Sequence, residues 1–230
     1  MAPDIPPDRH GFRNTYRAEL EQLRLQTEMM GVLVDQNLER VGRLLRDGDM
    51  DAASAAIGAD DAIDAMNVSL TERCYEVLAR EAPVASDLRL VVSVIRVISE
   101  FERVGDLALR VAKLAPDLAL LRSVDRCFDI LLAMSDEATE HFRTALRAWA
   151  TGDLGVAEQA AEPSAWMELY YEQLLDSLLR VSGPDGVRAA LRALVAGRAF
   201  DRIADHASII GSRVRYLATG DPDHLAAEVR

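Results

Sequence analysis

The segment Phe101-Glu102-Arg103-Val104-Gly105-Asp106-Leu107-Ala108 returns about 99 residues later as Phe200-Asp201-Arg202-Ile203-Ala204-Asp205-His206-Ala207. Each copy sets an acid, an Arg and a second acid at the helical spacing of four, inside an apolar run. An internal repeat of this kind requires each half of the chain to form the same supersecondary unit. The 230 residues suit two modules of roughly 100 residues, each long enough to bury a core. Hydrophobic residues make up 50% of the chain but aromatics only 5%, with Ala, Leu, Arg, Glu and Asp abundant. That is a helix-forming composition, so the fold class is all-α.

Apolar residues at three-to-four spacing, Tyr16, Leu20, Leu23, Met30, Val34, Leu38, Val41 and Leu45, predict a first long amphipathic helix that ends near Asp47-Gly48-Asp49. Asp49 is placed to cap a second helix that carries Ile57, Ile63, Met66, Leu70, Cys74 and Val77. A third helix starts at Ser86 or Asp87 and runs to about Leu114, where Pro116 stops it. The second half repeats the plan. A helix from about Val124 to Ala150 is followed by Thr151-Gly152-Asp153, a fifth helix spans about Leu154 to Val181 with a bend at Pro163, and a sixth ends near Gly220. Long helices joined by short loops pack antiparallel. The expectation is six long helices in two tandem three-helix bundles, residues 12–116 and 117–220, with an N-terminal arm over 1–11 rich in Pro and a tail over 221–230. Val91, Val94, Ile98, Phe101, Gly105, Ala108 and Ala112 form a heptad seam on the third helix; Ala190, Ala193, Gly197, Phe200, Ala204, Ala207 and Gly211 match it on the sixth. The small residues predict close backbone approach there.

The formal charge of −12 excludes a nucleic-acid backbone as the main partner and favours cations or basic protein surfaces. Cys74 and Cys127 lie in apolar helical patterns without a CxxC partner, the usage of a reduced intracellular protein with buried thiols. The N-terminus has neither a basic n-region nor an apolar h-region, and no run of about 18 apolar residues occurs, so neither secretion nor membrane insertion is expected.

Glu102 and Asp106 stack one turn apart on one helix face, as do Asp201 and Asp205; Asp61 and Asp64 add further acids on the second helix. Like charges at this spacing cost a helix about 0.2 to 0.5 kcal/mol, which invites a compensating cation. Hard divalent ions take carboxylate oxygens from several helices of a bundle, making these six acids metal-ligand candidates and a metal-binding bundle or metal-dependent enzyme one open reading. The other is a solvated ion-pair ladder, since Arg89, Arg96, Arg103 and Arg110 recur at sevens and Arg110 stands one turn after Asp106. No Glu-x-x-His pair, Gly-rich phosphate loop, His-Glu-x-x-His or nucleophile with an identifiable base is present. His206 is expected at a surface or pocket rim, and Trp149, Trp166, Tyr170 and Tyr171 as packing residues.

The two signatures, together with Ala85-Ser86-Asp87-Leu88-Arg89-Leu90, Asp61-Ala62-Ile63-Asp64 and Tyr216-Leu217-Ala218-Thr219-Gly220, resemble the paired Glu/Asp-Arg-Ile-Gly-Asp signatures of the PhoU family over about Phe12 to Gly220. The resemblance implies a cytoplasmic, dimeric regulator without catalysis of its own. It would couple a phosphate ABC transporter, through its ATPase subunit, to a sensor histidine kinase and repress phosphate uptake and the starvation response. It also implies divalent or iron/zinc-type metal at Glu102, Asp106, Asp201 and Asp205, with Asp61 and Asp64 contributing. The chain departs from the family pattern at Arg110 and Ile209, where Asn is usual, at Ala204 in place of Gly, and in Glu162-Pro163-Ser164-Ala165-Trp166-Met167-Glu168, which lacks the Asp-x-x-Asp echo. The two halves are therefore expected to carry unlike sites.

Overall fold

A computed structural model describes the backbone of residues 9–229 and the side chains of residues 15–226. Residues 1–8 of the expected arm lie outside that range. Among the described residues there are nine α-helices and no strand: α1 (Arg9–Asp47), α2 (Met50–Gly58), α3 (Asp60–Glu81), α4 (Ala85–Ala112), α5 (Leu118–Arg122), α6 (Asp125–Thr151), α7 (Leu154–Ala161), α8 (Ala165–Leu178) and α9 (Gly186–Thr219). The expected second helix is thus split at Ala59 into α2 and α3, and the fifth into α7 and α8. With these pairs taken together, the plan of six long helical arms holds.

The repeat is visible in how the chain turns. Gly48 and Gly152 both take the left-handed conformation, at φ 77° and 66°, which ends the preceding helix without a Cβ penalty. Asp49 then accepts from the Ala52 amide at 2.8 Å, and Asp153 from the Val156 amide at 2.9 Å, so each half restarts its next helix on an Asp cap. The halves part company at Pro163. Its ring and missing N–H open the chain over Glu162–Ser164, where a bend was expected, and Ser164 recaps α8 by accepting from the Met167 amide at 3.1 Å. Ser164 also donates to Glu137 at 2.6 Å, fixing this break against α6.

Three boundaries differ from expectation. Helix α1 already includes Arg9 to Gly11, assigned by sequence to the arm. Helix α4 ends at Ala112, short of Leu114, and Pro116 sits in a 3₁₀ turn over Ala115–Asp117 that leads into α5, a short helix with no counterpart in the first half. The expected tail contains a 3₁₀ helix, Pro222–Val229.

The two halves share one continuous core instead of burying two separate ones. Helices α1 and α6 run antiparallel: Arg24 donates to the Trp149 carbonyl at 3.2 Å, and Arg143 bridges Asp35 and Glu39 at 2.7 and 2.9 Å. Phe101 of α4 meets Phe142 of α6 edge to face at 5.6 Å in the middle of that core. The small-residue seam works as expected. A Cβ on Gly211 would lie 2.5 Å from the Ala161 nitrogen and 2.6 Å from the Ala160 carbonyl carbon, so only glycine lets α9 approach α7 this closely. At Gly197 the missing Cβ is replaced by the Leu174 side chain from α8. Cys74 and Cys127 are buried; burial pushes the Cys74 thiol up to about 12 and raises that of Cys127 as well, which makes both poor nucleophiles.

Candidate functional site

Helices α4 and α9 lie antiparallel across the middle of the molecule and carry the two acidic signatures. In the first half, α3 runs antiparallel to α4, with Ile63 facing Gly105. The pairing puts Asp60 and Asp64 of α3 against Glu102 and Asp106 of α4. Burial, and then the charges of Asp106, Asp64 and Asp60, raise the Glu102 carboxyl above its usual range against the pull of Arg103. Burial, Asp64 and Asp106 likewise raise Asp60, with Lys113 pulling the other way. Asp61, favoured by the sequence reading, is exposed and acts on this group through Asp60, while Asp60 itself faces α4. Asp64 is exposed like Asp61, but its charge reaches both Asp60 and Glu102, which places it on the edge of α3 toward α4.

The second half is built differently. Asp201 is bound by Arg198 at 2.5 Å and Asp205 by Arg202 at 3.1 Å, each an i,i+3 pair. Burial and Asp205 still raise the Asp201 carboxyl against the pull of the two arginines. These acids open on a cleft of about 500 Å³ between α8 and α9, whose other wall holds Met167, Glu168, Tyr171 and Glu172. Met167 faces Ala204 across this cleft as Ile63 faces Gly105, which makes Glu168 the counterpart of Asp64. The sequence reading missed Glu168 and Glu172 because the residue at the Asp61 position is Ala165, so the Asp-x-x-Asp echo is absent although the repeat keeps its register past Pro163. Their spacing of four, continued by Asp176 on a helix without a basic residue, was the available signal. A Cβ on Gly105 would make ordinary contact with Ile63 at 3.4 Å, so Ala204 in place of Gly is sterically neutral.

The arginine ladder is only partly what the spacing implied. Arg103 and Arg96 turn away from the signature acids onto Glu100, at 3.0 and 3.8 Å. Arg110 makes no ion pair within 4.0 Å of Asp106 among the described residues. Glu100 is itself the least expected charged residue in the molecule: its side chain is 1% exposed, and its Oε2 lies 2.6 Å from Nδ1 of His206, 6% exposed. His206 therefore sits in the seam between the halves and not at a rim. Burial opposes ionisation of Glu100, but the hydrogen bond and charge of His206, with Arg103 and Arg96, outweigh it and hold the carboxyl below its usual range. Trp149 packs as expected, whereas Trp166 is exposed and stacks on Tyr170 at 6.0 Å.

As the side chains stand, no three or more His, Cys, Asp or Glu residues among those described are arranged to hold one ion. Among the described residues the first half offers signature acids without an ion pair within 4.0 Å; the second has already paired its two signature acids.

An acidic, two-repeat helical protein with paired Asp/Glu-Arg signatures on its two facing helices is the class defined by this geometry. The PhoU domain model matches residues 27–115 and 131–214, and the chain belongs to the PhoU family. It is 31% identical over 219 residues to the phosphate-specific transport system accessory protein PhoU homolog of Pseudomonas aeruginosa, covering 94% of this chain and 90% of that one. The PhoU homolog of Pseudomonas putida is 30% identical, with coverage of 94% and 86%. The crystal structure of PhoU from Pseudomonas aeruginosa superposes with a TM-score of 0.84 over 90% of this chain and 100% of that chain. The phosphate transport system regulatory protein PhoU from Streptococcus pneumoniae, 24% identical, shares the fold with a TM-score of 0.74 over 90% and 98%. No described helix is long and apolar enough to cross a membrane.

Proposed function

We propose that this chain is a non-enzymatic, cytoplasmic and homodimeric regulator of phosphate transport and phosphate-responsive signalling. It links the ATPase subunit of a phosphate ABC transporter to a sensor histidine kinase and holds down phosphate uptake and the starvation response when phosphate is plentiful. The observation that carries this reading is similarity running through both repeats to proteins named as phosphate-specific transport accessory proteins. An adaptor shifts an equilibrium only by binding the states of its partners unequally, and an acidic helical surface suits that task toward basic protein faces. Deletion of the gene in its host, with a phosphate-regulated reporter read at high phosphate, tests the role: expression should rise, and return to the repressed level when the gene is restored. Unchanged repression in the deletion strain would remove the proposal.

A second reading, metal binding, has one observation in its favour: the unpaired group Asp60, Asp64, Glu102 and Asp106, whose mutual repulsion a cation would relieve. Elemental analysis of protein purified without chelators tests it, with a divalent or iron/zinc-type ion expected to depart in a Glu102→Gln, Asp106→Asn variant. Protein without metal would end this reading and leave the adaptor role standing.

A further inference from the structure

Beyond the acidic cleft, the α8/α9 pair carries a strip of apolar side chains in water. The antiparallel register set by Leu174 against Gly197, and by Arg198 over the Tyr171 ring at 5.9 Å, puts Leu175 level with Val195 and Leu179 level with Leu191. Leu179 is 87% exposed, Val187 76% and Leu191 58%. Single exposed apolar residues need no explanation, but a contiguous strip between two helices marks an interaction surface. The same layout recurs in the first half. Leu88 and Val92 stand at the repeat positions of Val187 and Leu191, both exposed, beside exposed Tyr75 on α3. Water-facing positions contribute nothing to the core that would keep them apolar in both halves.

Charge decides what the second strip can receive. Helix α8 has three charged residues, Glu168, Glu172 and Asp176, all acidic and exposed, and none forms an ion pair within 4.0 Å among the described residues. Glu168, Glu172, Leu175 and Leu179 follow one another at three-to-four spacing and so form a single edge of α8, acidic over the cleft and apolar toward the turn to α9. At its far end stands Arg180, exposed and basic, and the α9 wall carries Arg188, Arg192 and Arg198, which are already paired with Asp117 and Asp201. From Glu168 to Leu179 the edge is about three helical turns, or roughly 16 Å, long.

We infer that the α8/α9 groove is the docking site for a basic amphipathic helix of a partner protein, its Lys/Arg end over Glu168 and Glu172 and its apolar face on Leu179, Val187 and Leu191. A helix of that kind meets both demands of the groove at once: its cations take up the unpaired carboxylates, and its apolar stripe removes the exposed leucines from water. The first-half groove differs, since Leu88 and Val92 are only 41% and 37% exposed and so present less apolar surface. This inference names the contact face of the adaptor proposed above and rests on that reading for its biological meaning.

The test uses the full purified chain and a fluorescein-labelled peptide of about 14 residues with Leu and Lys at helical spacing, read by fluorescence polarisation. Binding should weaken at least about tenfold in Glu168→Gln/Glu172→Gln/Asp176→Asn, and by a similar factor in Leu179→Ala/Leu191→Ala. A charge-matched control on exposed acids of α1 and α2, helices not packed on α8 or α9, Glu21→Gln/Asp47→Asn/Asp51→Asn, should stay within about twofold of wild type. All these positions are exposed, and thermal melting checks that each variant remains folded. Equal losses in the two charge variants would reduce the binding to bulk electrostatics and overturn the inference, as would unchanged binding in the leucine variant. Loss of self-association in the leucine variant, with peptide binding intact, would assign the groove to a second copy of the chain and overturn it too. Because the assay needs only purified components, it can fail while the gene-deletion test succeeds, and the reverse.

Discussion

The two halves of the molecule fold alike and treat charge in opposite ways. At the first signature, carboxylates from α3 and α4 face one another without an ion pair within 4.0 Å among the described residues, and the proton affinities of Asp60 and Glu102 rise. At the second, each signature acid carries its own arginine from the preceding turn. The seam between the halves is lopsided as well. Glu100 and His206 form a buried pair across α4 and α9, while the residues at their repeat positions, Ala199 and Leu107, are apolar. A duplicated scaffold has thus kept its backbone plan and diverged in electrostatics, and stability measurements on matched positions can show how far.

The seam should give the largest effect. Glu100→Ala strips His206, Arg96 and Arg103 of their shared buried partner and is expected to cost about 3 kcal/mol. The double variant Glu100→Ala/His206→Leu gives this side of the seam the residue types of the other, and should return to within about 1 kcal/mol of wild type, because a well-packed apolar pair avoids the desolvation penalty. Urea denaturation checks both. A double variant as unstable as the single one would show that the pair does more than satisfy itself. Acid supplies a second readout. Glu100 has a folded pKa below its unfolded value, so its contribution is fully present above the ordinary carboxylate range and is lost as the pH falls through the lowered value. Glu100→Gln should flatten that acid limb.

The tight approach of α9 to α7 comes next. Gly211→Ala drives a methyl group into the backbone of Ala160 and Ala161, which cannot swing away as a side chain can, and should cost about 2 kcal/mol while loosening amide protection in α7. The matched position in the first half is the buried Ala112, where Ala112→Gly should cost only about 1 kcal/mol, mainly through backbone entropy. Equal costs would mean that α7 follows the substitution freely and the close contact is not a constraint.

These contrasts also mark what the sequence could reveal. Apolar stripes at three-to-four spacing, the Gly-Asp turns and the heptad seam dictated the helical arms, because periodic burial and capping act locally. The break at Ala59 left a fainter mark, Gly58 before it and the acidic pair Asp60-Asp61 after it, which the apolar spacing through Ile57 and Ile63 masks. Asp60, one residue before the expected Asp61, is the acid of that turn whose charge reaches Glu102. Glu100 stayed hidden because an acid beside Phe101 reads as a surface neighbour of the seam. The asymmetry with Ala199 was the available clue, since an acid whose repeat position is apolar is unlike the paired acids at 102 and 106.

The smallest effect tests the charge contrast itself. Glu102→Gln removes one carboxylate from a group with no ion pair within 4.0 Å among the described residues, and relief of like-charge repulsion, larger than the lost pull of Arg103, should raise stability at neutral pH by about 0.2 to 0.5 kcal/mol. Asp205→Asn should leave stability flat, because the loss of the Arg202 pair offsets the relief of Asp201. The pH dependence separates these cases further. A carboxyl raised in the folded state binds its proton more readily there than in the unfolded chain, so folding gains stability as the pH falls through the raised value of Glu102. Wild type should therefore rise slightly in stability on mild acidification, before the loss tied to Glu100 sets in at lower pH. Glu102→Gln should show a smaller rise, and Asp205→Asn, which removes only one of the causes that raise Asp201, a loss smaller than that of Glu102→Gln, in thermal melts taken across that range. If both variants followed wild type, the acids of the first half would be as well compensated as those of the second, and the electrostatic difference between the repeats would not exist.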